Sequence, residues 1–198
     1  MPPIPSAVRY RVLDPPRAAD YEPLIDFYCG KDRLEKHEVN RTVRRMWARR
    51  ANPQEAVLLE LTHGKDVNGH RPLVGVCGMA QGVLQGVPGV PHGTPGAYIY
   101  AIGVDVDYQG EELAKGWRYG NALAQSALEA IFSIFGGSGM PYVFAKVKRT
   151  NKGSKYLFDE HGFENKGDHG ELLLLREPGL DPAFRREPTW SRQSARSN

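Results

Sequence analysis

The sequence predicts a single α/β domain in which a mixed β-sheet is flanked by helices. Predicted elements alternate strand, helix, strand, helix, strand between residues 97 and 177, an order typical of sheets with packed helices. The 198 residues are 40% hydrophobic and 25% charged, a globular composition with enough length to bury a core. We therefore assign one domain to residues 1–177 and expect a mobile, proline-interrupted tail at 178–198.

The N-terminal quarter is predicted to hold one strand and two helices. Residues 8–14 form the strand, residues 17–28 the first helix and residues 32–50 the second, which carries an apolar stripe. Four arginines lie near the end of the second helix. They either complement the helix dipole or contact phosphate or an acidic partner: Arg44, Arg45, Arg49 and Arg50.

The centre of the chain is predicted to form a hairpin followed by a long loop. Residues 56–61 and 72–80 are rich in Val and Leu, and Asn68–Gly69 between them suits a tight turn. Residues 81–96 are broken by Gly and Pro and are predicted as a loop, and loops of this length often shape ligand sites.

The second half is predicted to alternate strands and helices. Strands are expected at residues 97–107, 141–149 and 170–177, and an apolar helix at 120–135. A short helix follows Asn151 and ends near Gly162, because Gly is the preferred residue just after a helix C-terminus.

Composition excludes several classes of protein. No apolar run approaches the ~20 residues of a membrane span, and the N-terminus lacks an apolar signal core. Cys29 and Cys77 have no metal-ligand spacing, so we expect reduced thiols, a cytoplasmic location and no metal. A net charge of +3 suits an anionic ligand but does not by itself suggest nucleic-acid binding, so we do not expect a nucleic-acid partner.

Two motifs carry a family resemblance. The segment VDVDYQG at 104–110 ends a strand in a valine-to-tyrosine turn followed by Gln–Gly. A second motif has the spacing Asn, small residue, Leu–aromatic, Gly–Phe: Asn151, Ser154, Leu157, Phe158, Gly162 and Phe163. Together they resemble the GCN5-related N-acetyltransferase (GNAT) family. That resemblance implies a central mixed sheet of about six or seven strands and acetyl transfer from acetyl-CoA to a primary amine by direct attack in a ternary complex.

The pyrophosphate of coenzyme A calls for main-chain N–H groups at a helix N-terminus. The family turn Arg/Gln-x-x-Gly-x-Gly/Ala can be aligned in two registers. Starting at Gln109, it places Glu112 at the central glycine; starting at Trp117, it matches Gly120 and Ala122 but replaces Arg/Gln by Trp. We favour the second register. The predicted cofactor-binding residues are Val104, Val106, Gln109, Gly110, Lys115, Gly116, Trp117, Arg118, Gly120, Asn121, Ala122, Asn151, Ser154 and Phe158.

The resemblance implies a tyrosine at the position of Phe158, where it would protonate the departing thiolate. Phenylalanine has no proton to give. We expect Phe158 to pack against pantetheine or the core. Tyr156 lies about 200° away around the helix and cannot simply replace that tyrosine. Asn151 is expected to contact the cofactor, to cap the helix, or both.

The acceptor amine must lose a proton, and its base is not identified by the sequence. The catalytic candidates are Tyr156, Asp105, Glu60 and His63. Tyr98 and Tyr100 share one strand face and either line the acceptor site or fill the core.

Three functions follow from these observations. The first is an acetyl-CoA-dependent N-acyltransferase. The second is a module of the same fold that senses acyl-CoA or docks a partner without turnover. The third is an RNA-directed acetyltransferase, favoured by the arginines near residue 50 and the basic tail. The expected partners are acyl-CoA and an amine, and no membrane is expected. A homodimer is one alternative for the oligomeric state.

Overall fold

The computed structural model describes residues 4–13, 27–29, 41–42, 56–63, 72–135, 140–168 and 171–176. Nine strands and two α-helices are described in this part of the chain. They are β1 (Val8–Leu13), β2 (Ala56–His63), β3 (Leu73–Leu84), β4 (Thr94–Val104), β5 (Glu112–Ala114), β6 (Trp117–Arg118), α1 (Tyr119–Phe135), β7 (Tyr142–Lys148), α2 (Lys152–Glu160), β8 (Glu164–Asp168) and β9 (Glu171–Arg176).

Seven strands form one mixed sheet in the order β1-β2-β3-β4-β7-β9-β8, and β5 pairs with β6 in a separate ribbon. The pair β4–β7 is parallel, and the other neighbours in the sheet are antiparallel. The parallel pair is joined through α1, as expected of a crossover connection. The mixed sheet of six or seven strands is confirmed.

Helix α1 packs on one face of the sheet through its apolar side. Leu123, Leu128 and Ile131 are almost fully buried in a cluster that also holds residues of β3, β4 and β7. Burying each such side chain contributes roughly 1.5–3 kcal/mol. The buried hydroxyl of Ser126 donates to the Ala122 carbonyl oxygen at 2.8 Å, so it carries no desolvation penalty.

The predicted loop at 81–96 is too long, because strands continue into both of its ends. Strand β3 extends to Leu84 and β4 begins at Thr94, which leaves residues 85–93 as the loop. Leu84 and Val87 are buried with Phe144 in a second, smaller cluster on the other face. Pro95 is tolerated within β4 because pairing with β7 begins only at Gly96.

One predicted strand is too long at its end, and one observed strand was not predicted. The strand predicted for 97–107 ends at Val104, since Asp105 caps a 3-10 helix over Val106–Tyr108. Strand β8, with the sequence ENKGD, was not predicted. It lies at the edge of the sheet, where polar sequence is tolerated and apolar alternation is absent.

Several predictions lie outside the described residues. These are residues 17–26 of the first predicted helix, most of the second, the arginines near residue 50, the Asn68–Gly69 turn and the tail. Residues 27–28 are described and are not helical, so the first helix was predicted too long, whereas residues 41–42 are helical as predicted. The antiparallel pairing of β2 with β3 confirms the hairpin that the turn was predicted to close. Within the described ranges, no helix combines the length and apolarity needed to cross a bilayer.

Candidate functional site

The central feature of the site is a split between the parallel strands β4 and β7. Their pairing runs from Gly96–Tyr142 to Ile99–Ala145 and stops there. Both strands continue, β4 to Val104 and β7 to Lys148, each paired on its far side with β3 or β9. The described sheet therefore opens between two strands whose facing edges present main-chain N–H and C=O groups.

A β-bulge in β4 marks the point where the split begins. The register with β3 passes from Gly78–Ala101 to Met79–Ile99 and leaves Tyr100 as the extra residue. Because a bulge shifts the alternation by one, Ile99 before it and Ile102 after it both pack with the cluster under α1. Bulges bend a strand, which accounts for the divergence of β4 from β7.

The segment between β4 and α1 folds as a small hairpin rather than an open loop. Strands β5 and β6 pair around Lys115–Gly116, with Gly116 at φ 78°. The Gly116 amide donates to Glu112 Oε1 at 3.0 Å, so it serves the hairpin and not a ligand. Trp117 is only 9% exposed and joins the core, which leaves its main chain as the part able to contact a cofactor.

Two other predicted cofactor residues, Gln109 and Val106, make contacts within the protein, and a third, Gly110, makes no such contact with the described residues. The Gln109 side chain donates to the Val104 carbonyl oxygen at 2.8 Å. The Val106 amide donates to the Tyr28 carbonyl oxygen at 2.6 Å. Gly110 has φ 81° and is exposed at the turn between the 3-10 helix and the hairpin.

The N-terminus of α1 begins directly after the hairpin. A helix that starts at Tyr119 leaves the amides of its first four residues without intrahelical acceptors. Gly120, Asn121 and Ala122 are in this turn, and exposed Arg118 precedes it. This position of Gly120 is the one that the favoured register requires. A Cβ built on Gly120 would meet Leu157 of α2 at 3.6 Å, so the start of α1 lies against α2.

Helix α2 ends in a Schellman motif that determines the position of Phe158. Gly162, with φ 76°, donates its amide to the Asp159 carbonyl oxygen at 3.0 Å, and Phe163 donates to that of Phe158 at 3.1 Å. The two phenylalanine rings pack in the accompanying apolar contact, and Phe158 is 3% exposed. Phe158 was expected to pack against pantetheine or in the core, and in the structure it packs in the core.

The other predicted residues of α2 lie on its exposed side. Asn151 caps the helix, with its side-chain oxygen accepting from the Ser154 amide at 3.0 Å. Tyr156 is 60% exposed, and its hydroxyl bonds Glu160, which raises its pKa; nearby Arg118 opposes this shift. Tyr156 therefore remains protonated at neutral pH, on the outward face that the helical spacing predicted.

The carboxylate and histidine candidates are not brought together. Asp105 accepts the amides of Tyr28 and Asp107, each at 3.1 Å, one on each carboxylate oxygen. This is a capping role. Glu60 and His63 are on β2, which is separated from β4 by β3. In the described ranges, no group of three or more His, Cys, Asp or Glu is arranged to hold a metal ion.

Tyr98 and Tyr100 do share one face, as predicted, and their ring centroids are 6.4 Å apart. Tyr98 stacks on Phe144 at 4.9 Å. Glycines make room for these rings: a Cβ on Gly78 would lie 2.4 Å from the Tyr100 ring, and one on Gly82 would lie 2.9 Å from Phe144. The packing supports a structural role for both tyrosines beside the split.

No protein-family model and no curated protein matches the chain in sequence. Solved structures match its fold. AtaTR bound with acetyl-CoA has a TM-score of 0.61 at 17% identity over 86% of this chain and 94% of that one. AtaT complexed with acetyl-methionyl-tRNAfMet has a TM-score of 0.59 at 17% identity over 86% and 94%. The KacTA–DNA complex has a TM-score of 0.58 at 18% identity over 85% and 93%. The shared fold is the GNAT fold, as expected from the two motifs.

Proposed function

We propose that the chain is an acyl-CoA-dependent N-acyltransferase that moves an acetyl group from acetyl-CoA to a primary amine by direct attack in a ternary complex. The observation that carries this proposal is the split between β4 and β7, which has a bulge at one end and lies beside a helix that begins just after a glycine-containing hairpin. The fold shared with AtaTR bound with acetyl-CoA supports it.

The split suits a long ligand that carries amides and phosphates. Residues 100–104 of β4 present a strand edge, and an extended amide-bearing chain such as pantetheine can hydrogen-bond to such an edge. The first turn of α1 supplies N–H groups for pyrophosphate at Gly120, Asn121 and Ala122. Lys115 and Arg118 add positive charge from the hairpin.

In the proposed reaction, the neutral amine attacks the thioester carbonyl carbon. The C–N bond forms and the C–S bond breaks, with its electron pair leaving on sulfur. The amine proton passes to water or to a neighbouring base. Buried Phe158 cannot supply a proton to the sulfur. A thiol with a pKa of about 8.5 is a tolerable leaving group as the thiolate, so catalysis does not require that proton.

The proposal places the protein in the cytoplasm. Cys29 and Cys77 are both buried and form no disulfide, which is consistent with a reducing compartment where thiols persist. Burial strongly raises the pKa of the Cys77 thiol, so it is not a reactive thiolate.

A second candidate is acetylation of an amine carried on RNA. The expectation that nucleic acid is not a partner lacks support, because one structure of the same fold is AtaT with acetyl-methionyl-tRNAfMet and another is KacTA with DNA.

The test is to follow free thiol while the protein is incubated with acetyl-CoA and a panel of amines, with CoA binding measured in parallel by calorimetry. Thiol release above background supports the enzyme. CoA binding without turnover of any amine supports the sensing module instead, and failure to bind CoA contradicts both.

A variant pair locates the cofactor in the same experiment. Gly120→Glu places a carboxylate in the first turn of α1, whereas Gly153→Glu places one on the exposed side of α2, where a Cβ meets nothing closer than 3.9 Å. We expect only Gly120→Glu to abolish CoA binding. Equal binding by both variants would place the phosphates elsewhere.

A further inference from the structure

The split between β4 and β7 has a closed end and an open end. It closes at the pair Ile99–Ala145, beyond which the two strands no longer pair with each other. The next residue on β4 is Tyr100 and the next on β7 is Lys146, so these two residues flank the closed end. The open end lies at Val104, where β4 ends.

Lys146 projects from the face of the sheet opposite α1. Its neighbours Ala145 and Val147 are buried in the cluster under α1, whereas Phe144 is buried in the smaller cluster on the other face. Because successive side chains of a strand point to opposite faces, Lys146 shares the face of Phe144. The side chain of Lys146 is exposed, so a ligand in the split can reach it.

On the α1 face, the closed end of the split is apolar. Ile99, Ala145 and Phe158 are all almost fully buried in the cluster under α1. None of these three side chains carries a charge or a proton that it can donate. A negative charge formed at the closed end must therefore be stabilised from the opposite face.

On that opposite face, the aromatic side chains leave the position beside β7 to Lys146. Tyr98 stacks on Phe144 below the closed end. The ring of Tyr100 covers Gly78 of β3, since a Cβ added there would lie 2.4 Å from it. The Tyr100 ring is therefore directed toward β3 and away from β7. Of the described side chains at the closed end, Lys146 is the charged one.

The length of the split determines where the sulfur of a bound CoA would lie. Val104 pairs with Gly75, and a Cβ on Gly75 would lie 3.0 Å from Leu123 of α1, so the open end of the split lies beside the start of α1. From Val104 back to Tyr100 the strand spans about 13 Å. The pantetheine arm has about as many chain bonds as four extended residues. With the phosphates at the start of α1, the sulfur reaches the closed end.

We propose that the ammonium group of Lys146 lies beside the thioester sulfur and stabilises the thiolate that leaves when the amine attacks. The inference rests on the proposed acyl transfer. The electron pair of the C–S bond moves onto sulfur, the ammonium group keeps its proton, and the thiolate takes a proton from water after release. A fixed positive charge lowers the barrier because it attracts the developing anion more strongly than the neutral thioester.

The test measures the acidity of the CoA thiol while CoA is bound, which does not depend on turnover. The ultraviolet absorbance of the thiolate is followed from about pH 6 to about pH 10 in protein saturated with CoA, a range that brackets the ordinary thiol pKa of about 8.5. The same titration with desulfo-CoA subtracts the tyrosines and the protein thiols.

Three variants are compared with the natural chain: Lys146→Met, Lys146→Arg and Lys148→Met. Methionine keeps an unbranched side chain and removes the charge, whereas arginine keeps the charge. Lys148 is the matched control, because it is exposed on the same face of β7 but lies about 7 Å nearer the open end. Both positions are exposed, so all three variants should fold like the natural chain, which thermal unfolding checks.

We expect the pKa of the bound thiol to be about 1 lower in the natural chain than in Lys146→Met, because an opposite charge within about 4–6 Å favours the thiolate. Lys146→Arg should keep most of this lowering, and Lys148→Met should match the natural chain. In thiol-release assays, Lys146→Met should lower kcat about tenfold and change the KM for acetyl-CoA less than about twofold.

Three results would overturn the proposal. The first is an equal pKa of the bound thiol in the natural chain and in Lys146→Met. The second is an equal rise in Lys146→Met and Lys148→Met, which indicates a diffuse surface charge. The third is a rise in Lys146→Arg as large as in Lys146→Met, which indicates that packing and not charge matters.

The proposed function can fail separately from this inference. A lowered pKa of the bound thiol without thiol release for any amine would contradict the acyl transfer and leave the contact between Lys146 and sulfur standing. Failure to bind CoA would contradict both.

Discussion

Phe158 and Phe163 pack edge to face, with ring centroids 4.7 Å apart and ring planes at 64°. The contact stabilises the C-terminus of α2 and buries the ring of Phe158 in the core. The family resemblance implied a tyrosine at this position, with its hydroxyl beside the reacting thioester. The motif that predicted cofactor contacts on this helix therefore also builds a stable helix end.

Phe158→Ala should destabilise the fold by about 3–5 kcal/mol, because it removes a buried ring and leaves a cavity. Denaturant unfolding measures this free energy. Tyr156→Ala, on the exposed face of the same helix, should cost less than about 1 kcal/mol. Similar losses for the two variants would contradict the burial of Phe158.

Gly162→Ala should destabilise by about 1–2 kcal/mol, because Gly162 has φ 76°, where a Cβ is strained. Gly153→Ala is the matched control, since Gly153 is within α2 and its Cβ has space. That change should stabilise by about 0.5–1 kcal/mol, the helix preference of Ala over Gly. Opposite signs in thermal unfolding are the expected result, and a shared sign would refute the Schellman geometry.

Gly78→Ala should cost about 1–3 kcal/mol, because the new methyl group would lie 2.4 Å from the ring of Tyr100. In a Tyr100→Ala background the same change should cost less than about 0.5 kcal/mol, since the clashing ring is gone. A double-mutant cycle of unfolding free energies measures the coupling. An equal cost in both backgrounds would show that Tyr100 does not cover Gly78.

The sequence predicted the elements that local patterns define and missed those that depend on distant partners. The apolar periodicity of α1 and the Val- and Leu-rich strands β2 and β3 were sufficient to place them. The Asn-to-Gly spacing of α2 predicted its cap and its end. Strand β8 was missed because its pairing with β9 is not encoded in an apolar alternation.

The sequence predicted where α1 starts and missed the geometry of the strands and the hairpin that precede it. The start of α1 and the outward direction of Tyr156 follow from helical spacing. The split after Ile99 does not, because it arises from a bulge whose register depends on β3. The hairpin at 112–118 was expected only as an enlarged loop, since strands of three and two residues leave almost no pattern.

Tyr10→Phe should weaken the fold by about 1 kcal/mol at neutral pH, because the Tyr10 hydroxyl donates to Glu129 Oε2 at 3.2 Å. Burial, with a contribution from Glu129, raises the pKa of Tyr10 from 10.0 to about 12. A raised folded-state pKa means that this stability is present below pH 10 and is lost as the pH rises from about 10 to 12.

The difference in unfolding free energy between the natural chain and Tyr10→Phe, measured from pH 8 to pH 12, isolates this residue from other tyrosines. That difference should shrink above pH 10. A difference that stays constant or grows over this range would contradict the Tyr10–Glu129 bond.

Arg118→Ala should raise the KM for acetyl-CoA about tenfold and change kcat less than about twofold. The guanidinium precedes the first turn of α1, where a phosphate contact would bind ground state and transition state alike. Lys115→Ala, at the tip of the hairpin, should have a smaller effect on KM, and Arg9→Ala on β1 should have none. Steady-state thiol release at low and high salt measures all three, with the Arg118 effect diminishing at high salt. A fall in kcat at unchanged KM would instead place Arg118 at the reacting groups and contradict the proposed pyrophosphate site at the first turn of α1.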